Sequence, residues 1–122
     1  MIQALMSTTK YSYGDVILVN YPQANLRRYD RRPALIVQSD AARTEFNQRV
    51  IVQITSTRRT GPTRLAVTMS SPSGKSMGLR TDSYIVCDKI QTVNCARFER
   101  IIGQCPIMDE VQARLKLVLN LH

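Results

Sequence analysis

The chain has 122 residues, 43% of them apolar, which suits one folded domain and excludes a disordered tail. No apolar run approaches the ~20 residues of a membrane-spanning helix, and Met1 to Lys10 lacks the apolar block of a signal peptide, so a cytoplasmic protein with no membrane partner is expected. Lys and Arg total 17 against 9 Asp and Glu, a net charge of +8, and most of the cations are arginine, the side chain that forks onto phosphate and stacks on bases; a polyanionic partner such as RNA, DNA or an acidic protein segment is implied.

Residues 1–10 read as a loose arm, and residues 11–122 as a single domain. Gly14-Asp15 opens Val16 to Asn20, a short β-branched run expected to be a strand buried on both faces. Tyr21 to Arg31 reads as an exposed basic loop. Arg32-Pro33 leads into a second strand, Ala34 to Gln38, with the proline at its start, where a missing N–H is tolerated. Ser39 to Asn47 is polar and could hold one helical turn. Arg49 to Ile54 is a third strand, ended by Thr55-Ser56-Thr57, and Arg58 to Pro62 turns the chain. Leu65 to Met69 is a fourth strand, followed by a Ser/Pro/Gly-rich loop, Ser70 to Gly78. Tyr84 to Cys87 is a fifth strand; Asp88-Lys89-Ile90 turns and Gln91 to Val93 continues. Phe98 to Gln104 is a last strand. From Met108 the spacing becomes helical, through Val111, Leu115, Val118 and Leu119, with Asp109 and Glu110 near the start of that helix. Short strands separated by turns, then one helix, predict a mainly β fold: a small closed or nearly closed barrel with a C-terminal α-helix packed on it.

The chemistry is narrowed first by what is missing. Cys87, Cys95 and Cys105 lack metal-ligand spacing and the histidine is His122, so neither a zinc nor an iron–sulfur site is expected, and no cofactor. There is no GxSxG, no phosphate-binding loop and no GxGxxG. A histidine-pair ribonuclease is excluded as well. Three strand-edge positions remain: Arg32 before Pro33, Thr55-Ser56 after the third strand, and Asp88 after the fifth. A barrel gathers strand ends at a rim, where these could converge. Tyr21, Arg27, Arg28, Tyr29 and Arg31 in the first long loop, and Arg58, Arg59 and Arg64 around the second, could stack on bases or grip a backbone.

In order, Gly14 to Val19, Tyr21-Pro22, a basic loop, Arg32 to Val37, Asn47, Val50 to Ser56, Gly78-Leu79, Asp82-Ser83, Cys87 to Thr92 and Arg97 together resemble the MazF/PemK toxins. The resemblance implies an SH3-like barrel of the plasmid-maintenance toxin type, homodimeric, that is the toxin of a type II toxin–antitoxin pair. It implies a metal-independent endoribonuclease cutting single-stranded RNA at short sequences. By it, Arg32, Thr55 and Asp88 are catalytic, and Ser56, Lys89 and Gln91 join the RNA-binding residues. It also implies a cognate antitoxin whose acidic, disordered C-terminal tail lies across the toxin and folds on binding. Val86 stands where the plasmid branch has arginine, Lys89 where glutamine is usual, and Gln91 where a basic residue is common. Two other readings share the fold: a toxin that poisons DNA gyrase, and a non-enzymatic nucleic-acid-binding module.

Overall fold

The computed structural model describes residues 10–22 and 29–122, with the side chains of Pro22 and Tyr29 left out. Arg27 and Arg28, and most of the N-terminal arm, lie outside them. Six strands form one antiparallel sheet: β1 (Asp15–Pro22), β2 (Tyr29–Ile36), β3 (Gln48–Thr55), β4 (Arg64–Val67), β5 (Ser83–Asn94) and β6 (Phe98–Gln104). The helices are α1 (Pro72–Ser76) and α2 (Met108–Leu119), with 3-10 turns at Asp40–Ala42 and Cys95–Arg97. The strand order is β4-β5-β3-β2-β1-β6, so the sheet is open, with β4 and β6 as its edges. The mainly β fold with a C-terminal helix is therefore as expected, and the sheet does not close.

The apolar runs are continuous because each face of the sheet carries a core. Val16, Leu35, Val52, Ile54, Ile85 and Cys87 point to one side, under Met77, Leu79 and Val111. Ile17, Val19, Ala34, Ile36, Ile51 and Val93 point to the other, closed by Tyr11, Cys95 and Phe98. Tyr11 and Phe98 meet edge to face at 4.9 Å. Arg49 is buried beneath this second core and pairs with no carboxylate among the described residues; its Nε donates to the Tyr11 carbonyl (3.0 Å) and its Nη1 to that of Gln48 (2.7 Å). Arg43 donates to the same Tyr11 oxygen (3.2 Å), so two guanidiniums pin the chain entering β1.

Four local expectations are corrected. Tyr21, Pro22 and Tyr29 to Arg31 are not loop: β1 and β2 stay in register to Tyr21↔Asp30 and Pro22↔Tyr29. Backbone pairing, indifferent to the charge of the side chains, extends the hairpin. Pro33 is consequently inside β2, and its missing N–H coincides with the point where pairing to β3 stops, at Ala34↔Gln53. The supposed turn at Asp88 is a bulge within a 12-residue strand: β3 advances from Val52 to Gln53 while β5 steps from Ile90 to Val86. The Ser70 to Gly78 loop contains α1, started by Ser71, whose hydroxyl accepts from Gly74 N, with Pro72 in the first turn. The chain leaves α1 over β6 at Gly78, with φ +70°, where a Cβ would collide with the Ile102 carbonyl. In α2, Val111 is buried and Met108 and Leu115 pack on the first core, whereas Leu119 is exposed.

Candidate nucleic-acid interface

Side chains alternate along a strand, so the core residues fix which functional groups share a face. Ala34 and Ile36 point into the second core, which places Asp30 and Arg32 on that side of β2. Val19 and Ile17 place Tyr21 there on β1, and Tyr21 packs against that core. Ile51 places Gln53 and Thr55 there on β3, and Val93 places Gln91 there on β5. The β2–β3 register, continued two residues past Ala34↔Gln53, sets Arg32 across from Thr55. Pairing between β2 and β3 stops at Ala34↔Gln53, beside Pro33, so Arg32 within β2 and Thr55 at the end of β3 both lie past the last paired rung.

Within this face the contacts are specific. Arg32 Nη2 donates to Asp30 Oδ2 at 3.1 Å, two residues back along the same strand face. Asp30 is itself paired in register with Tyr21. The Tyr21 hydroxyl donates to Gln91 Oε1 at 3.4 Å. Burial pushes the Tyr21 phenol up from its ordinary value, and the positive charge of Arg32 pulls partly the other way. Thr55 Oγ1 accepts from Thr57 N (3.1 Å), and among the described residues its O–H has no acceptor. Tyr21 and Gln91 line a cleft of about 450 Å³ with Asn94 and Arg97. Arg97 also borders a second cleft, of about 510 Å³, with Asn20 and Arg31.

Asp88 lies elsewhere. It sits in the β5 bulge and faces the edge strand. Arg64 grips it with two bonds, Nε to Oδ1 (2.9 Å) and Nη2 to Oδ2 (3.0 Å), and Thr63 Oγ1 donates to Oδ1 (3.0 Å). The Arg64 bond above all, helped by Thr63, holds its carboxyl below the ordinary aspartate value. Two strand spacings, roughly 10 Å, separate β5 from the strand carrying Arg32. Arg64 is thus engaged within the protein.

The remaining candidates are spread more widely. Arg31 alternates to the opposite face from Arg32 and pairs with Glu99 (Nε to Oε2, 3.0 Å). With Leu18, Pro33, Arg80 and Arg100 it lines a larger cleft, of about 600 Å³, on that side. Ser56 and Arg58 are exposed just beyond β3, and Arg59 donates to the Arg58 carbonyl (3.2 Å). Lys89 is exposed at the bulge. Asp30 lies in the stretch Tyr21 to Arg31 that residue type alone marks as loop, and it belongs to β2. The period-two series Asp30, Arg32, Ala34, Ile36 is the signal that it belongs to a strand face.

The architecture is that of known toxins. An endoribonuclease from a mycobacterial species, solved in complex with its cognate antitoxin, superposes with a TM-score of 0.70 at 25% identity, covering 92% of this chain and 97% of that one. A chain of the MazE–MazF structure from Deinococcus radiodurans gives 0.71 at 19% identity, covering 93% of this chain and 99% of that one. The Mycobacterium tuberculosis toxin MazF-mt6 gives 0.69 at 20%, covering 88% and 98%. Comparison with curated protein sequences finds no significant match. Residues 12–119 match the family described as PemK-like, MazF-like toxin of type II toxin–antitoxin systems, and the chain belongs to that family. Among the described residues no helix is long and apolar enough to cross a membrane.

Proposed function

We propose that this toxin is a sequence-specific endoribonuclease that cuts single-stranded RNA, chiefly mRNA, without a metal ion, and so stops translation and growth. The observation that carries the reading is the end of β2–β3 pairing beside Pro33, past which strand alternation puts Arg32 and Thr55 on a shared face. The mycobacterial endoribonuclease, alike over nearly the whole chain, supports it.

RNA brings its own nucleophile, the 2′-OH, so no bound water needs activating. Attack on the adjacent phosphorus gives a 2′,3′-cyclic phosphate and a free 5′-OH. The protein must hold the phosphate, stabilise the charge that builds on its oxygens and accept a proton. Arg32, half exposed and steadied through one nitrogen, keeps its other N–H groups for the phosphate. Its guanidinium is too weak an acid, with a pKa above about 12, for proton donation to be its main role. Thr55 donates to a phosphate oxygen, with Ser56 beside it. The Tyr21–Arg97 cleft suits an unstacked base, held by stacking and by polar groups on its edge. Asp88 serves the fold, bracing the bulge against β4.

The protein works as a cytoplasmic homodimer and is held inactive by an antitoxin whose acidic tail competes with RNA for the basic face. Wild type and Arg32→Ala incubated with bulk single-stranded RNA, with and without EDTA, test the assignment. Wild type cleaves in both buffers and the variant does not. Equal inertness of the two proteins identifies a binding module instead, and loss of wild-type cleavage in EDTA shows a metal requirement.

A further inference from the structure

We propose that the cleft between Tyr21 and Arg97 selects guanine beside the cut, with the Arg97 guanidinium donating to guanine O6 and N7; the assignment rests on the nuclease reading above. Pairing of β1 with β6 ends at Val19↔Phe98, while β1 runs on to Pro22. The 3-10 turn Cys95–Arg97 comes immediately before Phe98 and carries Arg97. Cys95 and Phe98 are both buried in the second core and the Asn94 side chain caps the turn, so Arg97 stands on a fixed support. Its guanidinium lines two clefts and, among the described residues, makes no hydrogen bond or ion pair.

The polar groups of the Tyr21 cleft are set mostly as donors. The Tyr21 hydroxyl gives its hydrogen to Gln91 Oε1 (3.4 Å), which turns the amide so that Nε2 is left to donate. Burial keeps that phenol protonated around neutral pH. Asn94 Oδ1 accepts from Ala96 N (2.9 Å), leaving Nδ2 in the same role. Arg97 adds N–H groups alone, and Thr92 a hydroxyl that serves either way. No carboxylate lines the cleft among the described residues, and residues 1–9 and 23–28 include no Asp or Glu.

A donor-rich wall matches a base edge made of acceptors. Guanine presents two side by side, O6 and N7, at the spacing of a guanidinium fork. Adenine puts its N6 amine beside N7, a donor facing donors, and uracil separates its carbonyls with N3–H. Cytosine offers O2 and N3 with an amine next to them. A guanidinium that held phosphate alone would leave the base unread. The volume of about 450 Å³, walled by Tyr21 and Val93, gives a ring room beside the amides. Tyr21 shares a face with Arg32 and feels its charge, so a base seated here belongs to a nucleotide next to the gripped phosphate.

The experiment maps cut positions in a random-sequence single-stranded RNA pool for wild type and Arg97→Ala, with circular dichroism to check folding. Wild type enriches guanine about tenfold or more at one fixed position beside the cut. In a defined RNA carrying that guanine, inosine, which keeps O6 and N7, is cut within threefold of it, whereas 7-deazaguanine, which lacks N7, is cut about tenfold more slowly. Arg97→Ala, at an exposed position, folds as wild type, loses the preference and treats guanine and 7-deazaguanine alike. Binding of 2′-deoxy oligothymidylates bearing one deoxyguanosine, deoxyadenosine or deoxycytidine is measured alongside and favours guanine. Enrichment of another base in its place, cytosine included, overturns the proposal. So does an Arg97→Ala protein that keeps the guanine preference, or a wild type indifferent to loss of N7. If wild type cuts nothing, the nuclease reading fails by itself; the guanine site then stands if deoxyguanosine tightens binding and Arg97→Ala abolishes that effect, and falls otherwise.

Discussion

Replacing Asp88 by Asn tests the brace between the β5 bulge and β4. Asp88 and Arg64 are joined by two short bonds, with side chains 35% and 29% exposed, and Thr63 adds a third bond. Solvent-exposed ion pairs contribute about 0.2–1 kcal/mol, and two-point Arg–carboxylate geometry belongs at the upper end. Solvent screening at this exposure keeps the loss near 1 kcal/mol, a fall in Tm of about 4 °C for a domain of this size. The sign with pH is fixed by the direction of the shift. The folded carboxyl is held below its ordinary value, so its contribution is complete above that value and is lost as pH falls through the depressed one. Urea unfolding of wild type and variant at neutral and strongly acid pH therefore gives a gap of about 1 kcal/mol that shrinks on acidification. A gap equally large at both pH values refutes the electrostatic account of the brace.

Four other outcomes are expected. Arg32→Lys keeps the charge but loses the planar fork, and drops cleavage at least tenfold with an unchanged melting temperature, since the side chain is exposed. Thr55→Ser retains most of the cleavage rate and Thr55→Ala loses about tenfold, read in the same RNA assay. Gly78→Ala costs about 2–4 kcal/mol by urea melt, because the residue combines a left-handed φ with a carbonyl lying where the Cβ would go. RNA with a single 2′-deoxyribose at the cut site stays intact while its all-ribose counterpart is cut; normal cutting of both rules out attack by the 2′-OH.

The strands legible in the sequence are those whose apolar runs face a core on each side, such as Val16 to Val19 and Val50 to Ile54. The helix of Met108 to Leu119 was legible from its spacing, although its last leucines lie on the exposed side. The hairpin ends were not, because Tyr29 to Arg32 is polar and only pairing with β1 makes it strand. The bulge at Cys87 to Lys89 looks like a turn locally; β3 and β4 on either side carry the chain through it. Of the proposed site, the strand positions of Arg32 and Thr55 were within reach, because a proline and a buried strand mark them. The allocation of carboxylates was not. Whether Asp88 faces Arg32 or Arg64 depends on which strands become neighbours, and that is a property of the whole sheet. The burial of Arg49 is of the same kind, since its acceptors are carbonyls supplied by the chain around Tyr11.

The location of the RNA is the point on which the account turns, and amide chemical-shift mapping with an uncleavable 2′-deoxy oligonucleotide addresses it directly. Binding on the Arg32 face moves the signals of Tyr21, Arg32, Thr55 and Gln91 most. Largest shifts at Leu18, Arg80 and Arg100, in the cleft on the other side of the sheet, would contradict it.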